Sequence, residues 1–191
     1  MAEGTADRRR RFEAEALGFT HALYRTAVSL MRSTDAAHDL VQETYLRAYR
    51  AFGQYAPGTN CKAWLFSIMY SIFKTAYRKA QREQDGMLGV ALEAQIEQSL
   101  RQDAEFEGDD PARLDWADAD VERALRDLPE EFRSVVLIVD VGELSYEEAA
   151  LALACPVGTV RSRLFRARKL LFAALQGYAS RMGYVAAPGR G

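Results

Sequence analysis

Apolar side chains recur at intervals of three and four residues along most of the chain, and this periodicity restricts it to helical folds. The only run typical of a β-strand, Val135–Val139, has helix-like sequence on both sides. At 49% apolar residues, the chain has enough hydrophobic material for packed cores. The pattern predicts an all-α protein. Its helices are expected near residues 10–32, 35–53, 61–82, 117–127, 130–140, 145–154 and 157–176.

Charge divides the chain into three blocks. Residues 1–80 carry a net charge of +5, residues 81–120 carry −9, and residues 121–191 carry +2. Glycine and proline are also frequent in the acidic block, which favours a connector. Solvated surfaces with an acidic linker explain this segregation, and so do basic blocks that bind phosphate backbones. We therefore predict two small helical domains joined by a flexible acidic linker. The boundaries are domain 1–82, linker 83–116 with a possible short helix at Leu88–Leu100, domain 117–180 and a flexible tail 181–191.

Residues that bind metals are scarce, since the chain has two cysteines and two histidines. Cys61 and Cys155 form no disulfide framework, and no ordinary ligand spacing joins them to the histidines His21 and His38. The longest uncharged apolar stretch, Ala63–Phe73, is too short to span a bilayer. A secretory signal requires an apolar segment after its basic residues, and none follows the N-terminal arginines. We expect a cytoplasmic protein without metal, cofactor or membrane insertion.

Catalytic motifs are also missing from the sequence. It has no P-loop glycine pattern, no GxSxG and no HExxH. The acidic pairs Glu130-Glu131 and Glu147-Glu148 stand near helix starts, where carboxylates interact favourably with the helix dipole. This explains them without chemistry, so we predict no catalytic residue.

The most informative stretch is 144–171, LSYEEAALALACPVGTVRSRLFRARKLL. Ser145 and Glu148 have the spacing of a capping box, which marks a helix start. Cys155-Pro156 then interrupts the helix, and proline is tolerated in the first turn of the next one. Two helices joined by so short a turn predict a helix-turn-helix.

The second helix of this motif has two different faces. Val160, Leu164, Ala167 and Leu171 form a narrow apolar stripe, which we expect to face the core. Five cations and no acid occur between positions 161 and 169, whereas a solvated helix usually mixes the signs. Arginine can pair with guanine in the major groove, and apolar groups contact thymine methyls. The predicted DNA-binding residues are Arg161, Ser162, Arg163, Phe165, Arg166 and Lys169.

This segment resembles the minus-35-reading domain of extracytoplasmic-function (ECF) sigma factors, small members of the bacterial sigma-70 family. CPVGTVRSRLFRARKLL is similar to their signature, and LPEEFRSVVLI resembles the helix that leads into it. The competing hypothesis is another helix-turn-helix regulator, such as a response regulator. A response regulator requires a receiver domain with alternating strands, for which the N-terminal half shows no pattern.

A second resemblance concerns residues 39–52, DLVQETYLRAYRAF. They form an amphipathic helix whose charged side also fits a surface helix with ordinary ion pairs. The segment resembles the sigma-factor helix that docks on the clamp helices of RNA polymerase. The resemblance implies that the polymerase contacts are Asp39, Gln42, Glu43, Arg47 and Arg50.

The third segment runs from Gly58 to Lys79. Trp64, Leu65, Ile68, Ile72 and Tyr77 are core candidates, because an aromatic stripe at helical spacing more often serves packing than ligand binding. Cations near aromatic rings suit single-stranded DNA, whose bases stack on rings. GTN followed by KAWL resembles the element with which ECF factors capture the melted minus-10 strand. The implied contacts are Asn60, Lys62, Ser71, Lys74, Arg78 and Lys79.

The chain departs from this resemblance at Tyr70-Ser71, where many relatives have Arg-Asn. The resemblance implies a sigma factor that binds core RNA polymerase and promoter DNA, with an anti-sigma factor as a further partner. It also implies that the acidic connector passes through the polymerase. The alternative is a non-sigma helix-turn-helix regulator.

Overall fold

Helices form all the regular secondary structure of the computed structural model, which describes residues 5–31, 33–56, 58–84 and 118–181. No strand occurs within these ranges, and the all-α prediction is confirmed. The helices are α1 (Thr5–Ala16), α2 (Thr20–Met31), α3 (Thr34–Ala51), α4 (Cys61–Gln84), α5 (Ala119–Asp127), α6 (Glu130–Val136), α7 (Tyr146–Leu153) and α8 (Val157–Arg181).

The single helix predicted over 10–32 is two helices in the structure. It starts earlier, at Thr5, and a 3-10 turn at Leu17–Phe19 divides it into α1 and α2. Gly18 lowers helix propensity at this point. The hydroxyl of Tyr45 also donates to the carbonyl oxygen of Ala16 at 3.2 Å, so a distant side chain satisfies a group that would otherwise bond within the helix.

The β-branched run Val135–Val139 is helical. It comprises the end of α6 and the start of a π-helical segment, Leu137–Val141. The wider turn is closed by the amide of Gly142, which donates to the carbonyl of Leu137 at 2.8 Å. Val135, Val136 and Ile138 are completely buried. Tertiary burial therefore outweighs the weak helix propensity of these residues.

The chain forms two compact units. Among the described residues, the first unit combines those up to residue 84 with 137–160, and the second unit combines 118–136 with 161–181. In the first unit, α2 packs against α3, α3 against α4, and α4 against α7. The predicted linker (apart from residues 83 and 84), its possible helix and residues 182–191 lie outside the described residues. The domain boundaries drawn from the sequence stay a prediction.

Helix α1 is fixed to the C-terminal end of α3. The guanidinium of Arg8 donates to the carbonyls of Tyr49 and Arg50 at 2.7 and 3.1 Å. These carbonyls belong to the last turn of α3, where acceptors lack partners within the helix. The buried ring of Phe12 lies edge-on to Tyr49 and Phe52, with centroids 5.2 Å apart in both pairs.

The second unit contains α5, α6 and most of α8. The side chain of Asp118 caps α5 by accepting from the amide of Asp120 at 2.8 Å. Val121 and Leu125 of α5 are buried, as are Leu164 and Leu171 of α8. These apolar side chains form its core and leave the opposite side of α8 exposed.

Candidate nucleic-acid and polymerase interfaces

The helix-turn-helix is built by local signals. The capping box at the start of α7 is confirmed: Ser145 Oγ accepts from the amide of Glu148 at 3.2 Å, and Glu148 Oε2 accepts from the amide of Ser145 at 2.6 Å. Helix α7 ends at Ala154, whose φ of 51° is left-handed. Pro156 precedes α8 instead of entering its first turn, and its carbonyl accepts from Thr159 and Val160.

Helix α8 has the orientation predicted from its periodicity. The stripe Val160, Leu164, Ala167 and Leu171 is buried throughout. On the other side, Arg161, Ser162, Phe165 and Arg166 are exposed, and the Phe165 side chain is 56% accessible. The exposed Phe165 ring thus stands next to the exposed guanidinium of Arg166 along the helix.

Two of the six predicted minus-35 residues are only half-exposed, Arg163 and Lys169. The guanidinium of Arg163 pairs with the carboxylate of Glu131 on α6 at 2.8 Å. This pair neutralises Arg163 in part, whereas Phe165 and Arg166 are exposed on the outer face.

The predicted polymerase face lies along one side of α3. Asp39, Gln42, Arg47 and Arg50 are exposed, whereas Glu43 is half-buried. Glu43 accepts from Arg47 at 2.6 Å, one helical turn away. The face also includes an exposed apolar residue, Leu46, at 44% accessibility. The predicted face is thus mainly charged, with one exposed leucine within it.

The predicted minus-10 residues divide between two places on α4. Ser71, Lys74 and Arg78 share one face, because they stand three and four residues apart. The ammonium of Lys74 lies 5.9 Å from the ring centre of Tyr70. Lys79 is exposed but points about 100° away from Arg78 on the helix.

Asn60 and Lys62 stand at the N-terminal end of α4. Asn60 Oδ1 accepts from the amide of Ala63 at 2.9 Å and so caps the helix. Lys62 to Lys79 covers roughly 25 Å along the axis. The six residues therefore do not converge on one base, but they can follow an extended strand.

The end of α4 carries contacts that sequence reasoning missed. Asn60 Nδ2 donates to Glu148 Oε1, and Lys62 Nζ donates to the carbonyl of Glu143 at 2.8 Å. Arg25 of α2 pairs with the Glu143 carboxylate at 3.0 Å. The partners are 81 to 118 positions apart in the sequence, so no local pattern points to them.

Both carboxylates are ionised at neutral pH. The hydrogen bond from Arg25 lowers the pKa of Glu143 below its usual value. Burial raises the pKa of Glu148, but hydrogen bonds from Ser145 and Asn60 outweigh this effect and lower its pKa overall. These groups therefore form charged hydrogen bonds under physiological conditions.

The core side of α4 differs from the prediction. Leu65 is fully buried as expected, but Trp64, Ile68, Ile72 and Tyr77 are only half-buried. The helix instead buries Phe66, Met69 and Phe73. It packs against both α3 and α7, so more than one of its faces is covered.

No feature of the described residues points to bound metal or to thiol chemistry. Within them, no group of three or more His, Cys, Asp or Glu side chains could hold a metal ion. Burial raises the pKa of the Cys61 thiol, which disfavours the reactive thiolate. None of the helices in this part of the chain combines the length and apolar content needed to cross a bilayer.

Comparison with known proteins identifies both halves of the chain. Residues 19–83 match the model of sigma-70 region 2, and residues 118–171 match that of sigma-70 region 4. The ECF RNA polymerase sigma factor EcfG of Rhodopseudomonas palustris is 39% identical over 152 residues, 78% of this chain and 76% of that protein. The chain belongs to the ECF sigma factors of the sigma-70 family.

Two further proteins extend this likeness. The RNA polymerase sigma-H factor of Pseudomonas aeruginosa is 31% identical over 169 residues, 88% of each chain. The sigma factor RpoE of Bartonella quintana, crystallised with the anti-sigma factor NepR, superposes with a TM-score of 0.66 at 32% identity. That alignment covers 87% of this chain and 98% of RpoE.

As an ECF sigma factor, the chain binds core RNA polymerase and directs promoter recognition and the initiation of transcription. A non-sigma helix-turn-helix regulator is not favoured, since such a protein has no need of region 2. The prediction of family and function from the sequence is confirmed.

Proposed function

We propose that this ECF sigma factor divides its work among three helices. The α3 face with Asp39, Gln42, Glu43, Arg47 and Arg50 binds core polymerase. The polar and basic groups of α4 hold the opened minus-10 strand, and the outer face of α8 reads the minus-35 element. The sigma factor itself catalyses nothing and acts in the cytoplasm, where the polymerase performs the chemistry.

The observation that carries this assignment is that α8 is buried on one side and exposed on the other. Its apolar stripe is buried, while Phe165 and Arg166 are exposed on the opposite side. An exposed arginine on such a helix can make a bidentate contact with guanine in the major groove. Burial of the stripe thus supports the proposal that the opposite side of α8 reads DNA.

A run-off transcription assay tests the function as a whole. Core polymerase with the purified chain is expected to start transcription at discrete sites on genomic promoter fragments, whereas core polymerase alone is not. Mapping the start sites then gives the sequences of the minus-10 and minus-35 elements. Transcripts that start at the same sites without the chain would contradict the proposal.

We further propose regulation by an anti-sigma factor. The related RpoE of Bartonella quintana was crystallised with such an inhibitor, NepR. The acidic connector, with 12 acidic and 3 basic residues over 81–120, is proposed to run inside the polymerase, where its charge imitates nucleic acid.

Reversal of the charges on α3 tests the polymerase face. The double variant Glu43→Lys/Arg47→Glu is expected to weaken binding to core polymerase by about tenfold or more, because like charges then face each other across the interface. The intrahelical pair of opposite charges is retained, so helix content in circular dichroism is expected to stay unchanged. Affinity is measured by fluorescence titration with core enzyme.

A matched control lies on α1, where Arg9 and Glu13 form a similar exposed pair at 2.7 Å. Arg9→Glu/Glu13→Arg should bind core polymerase like the wild type. Equal affinity of both double variants would exclude the α3 face as the docking surface.

The minus-10 assignment separates base reading from phosphate binding. Alanine at Lys74, Arg78 or Lys79 is expected to weaken binding of single-stranded DNA of any sequence. Removing the cation that neutralises one phosphate should reduce the salt slope by about 0.7. Asn60→Ser keeps an oxygen that can cap α4 but removes the amide, so it should alter base preference with little loss of stability.

These effects are measured with holoenzyme on labelled minus-10 oligonucleotides over a range of salt concentrations. Arg10→Ala serves as control, since Arg10 lies on α1 and pairs with Asp7. Wild-type affinity, salt slope and base preference in all four variants would refute the assignment.

A further inference from the structure

Three basic or polar side chains meet near the N-terminal end of α4, and all of them already donate hydrogen bonds within the chain. Arg25, Asn60 and Lys62, here called the α4-end patch, all donate hydrogen bonds to residues 141–148 of the same unit. Their acceptors are two carboxylates and two backbone carbonyls, which are the anionic or partly negative groups that a DNA strand would otherwise supply.

The acceptor segment is held in place by close apolar packing. Gly142 and Leu144 are buried, and a Cβ atom at Gly142 would lie 2.7 Å from the ring of Phe66. Phe66 stands one helical turn after Lys62, on the same face of α4. This packing holds residues 141–148 against the end of α4 where Asn60 and Lys62 lie.

Backbone conformation also contributes to this arrangement. Glu143 has a φ of 56°, in the left-handed region that residues with a side chain seldom adopt. In this conformation its carbonyl accepts from Lys62 while its carboxylate pairs with Arg25. One residue therefore occupies two of the three donors.

The polar contacts themselves are exchangeable. Arg25 and Glu143 are 41% and 66% accessible at their side chains, and pairs this exposed contribute little to stability. A phosphate that reaches the patch can replace a carboxylate with nearly the same geometry and charge.

From these contacts we infer that Arg25 completes a phosphate-binding patch with Asn60 and Lys62, and that residues 141–148 compete with the single strand for it. The inference rests on the proposed placement of the minus-10 strand at Asn60 and Lys62. It adds Arg25 to the strand-binding residues and makes Glu143 and Glu148 an internal inhibitor.

Neutral variants of the two acids test the competition. Glu143→Gln/Glu148→Gln keeps the shape of both side chains, and glutamine can still complete the capping box of α7. The full chain is titrated against a fluorescein-labelled random single strand of about 15 nucleotides at low salt. The double variant is expected to bind about threefold to tenfold more tightly than the wild type, since each exposed pair contributes modestly.

The loss of two negative charges raises affinity for DNA by itself. The control variant therefore also removes two negative charges, at positions away from the patch. Glu13 and Glu122 are exposed acids, in α1 and α5, and both lie outside residues 141–148. Glu13→Gln/Glu122→Gln should give a clearly smaller gain than Glu143→Gln/Glu148→Gln. Helix content is measured for each variant. If the loss of Glu148 reduces it, the single variant Glu143→Gln provides the test through Arg25.

The outcomes separate this inference from the function on which it rests. A gain above the control that disappears both on adding Arg25→Ala and on adding Lys62→Ala supports the inference. A gain that survives Arg25→Ala overturns the role of Arg25. No gain above the control, with weaker binding by Lys62→Ala alone, overturns the competition and leaves strand binding intact. No gain and no effect of Lys62→Ala would overturn both.

Discussion

Leu164→Ala is expected to lower the free energy of unfolding by about 2–5 kcal/mol, the usual cost of removing a buried leucine side chain and leaving a cavity. Leu164 lies in the middle of the buried stripe of α8 and is 2% exposed. The same helix carries the proposed minus-35 surface, so this substitution should reduce promoter binding indirectly. Urea unfolding followed by circular dichroism measures the change.

The neighbouring residue provides the control. Phe165 is larger than Leu164 but exposed, so Phe165→Ala should change the free energy of unfolding by less than about 0.5 kcal/mol. An equal loss of stability in the two variants would mean that α8 is rotated from the orientation described. The comparison thus tests the facing of the helix without any DNA.

Arg166→Ala is expected to remove most of the preference of the holoenzyme for its minus-35 element over a scrambled sequence. A bidentate arginine–guanine contact contributes about 1–3 kcal/mol of discrimination. Arg166 is exposed beside Phe165, whereas the guanidinium of Arg163 is engaged by Glu131. Competition between consensus and scrambled duplexes for labelled holoenzyme gives this ratio directly.

Lys169→Ala is the matched change on the same helix. Lys169 is half-buried nearer the far end of the contact surface, where we expect a phosphate contact. Its loss should weaken binding to consensus and scrambled DNA alike and reduce the salt dependence of both. If Arg166→Ala keeps the wild-type ratio of affinities for consensus and scrambled DNA, another side chain reads the bases.

The helix-turn-helix was predictable from the sequence because its signals are local. The capping box at Ser145 and the apolar stripe of α8 depend only on residues a few positions apart. Residues three and four positions apart lie on the same face of a helix, so such spacing predicts which side is buried. The structure confirms the capping box and the buried stripe. The residue roles assigned by resemblance remain predictions that the variants above can test.

The faces of α4 were less predictable. Periodicity marks one apolar stripe, but this helix packs against both α3 and α7, and Phe66 and Met69 are completely buried. Trp64 is half-buried, and its ring centre lies 4.8 Å from that of Tyr55. Which sides of α4 are buried depends on the helices that pack against it, and one of these, α7, is distant in the sequence. The spacing of apolar residues within α4 does not show which helices these are.

The sequence by itself determined the all-α class, the helix-turn-helix, the orientation of α8 and membership of the sigma factors. Only the tertiary structure decided that Asn60 and Lys62 meet Glu148 and Glu143, and that Arg25 joins them. The reason is chain separation: periodicity and capping act over one or two helical turns, whereas these partners lie 81 to 118 positions apart. Their encounter follows from the packing of α2 against the π-helical segment and of α4 against α7, which fixes where each polar side chain finds its acceptor.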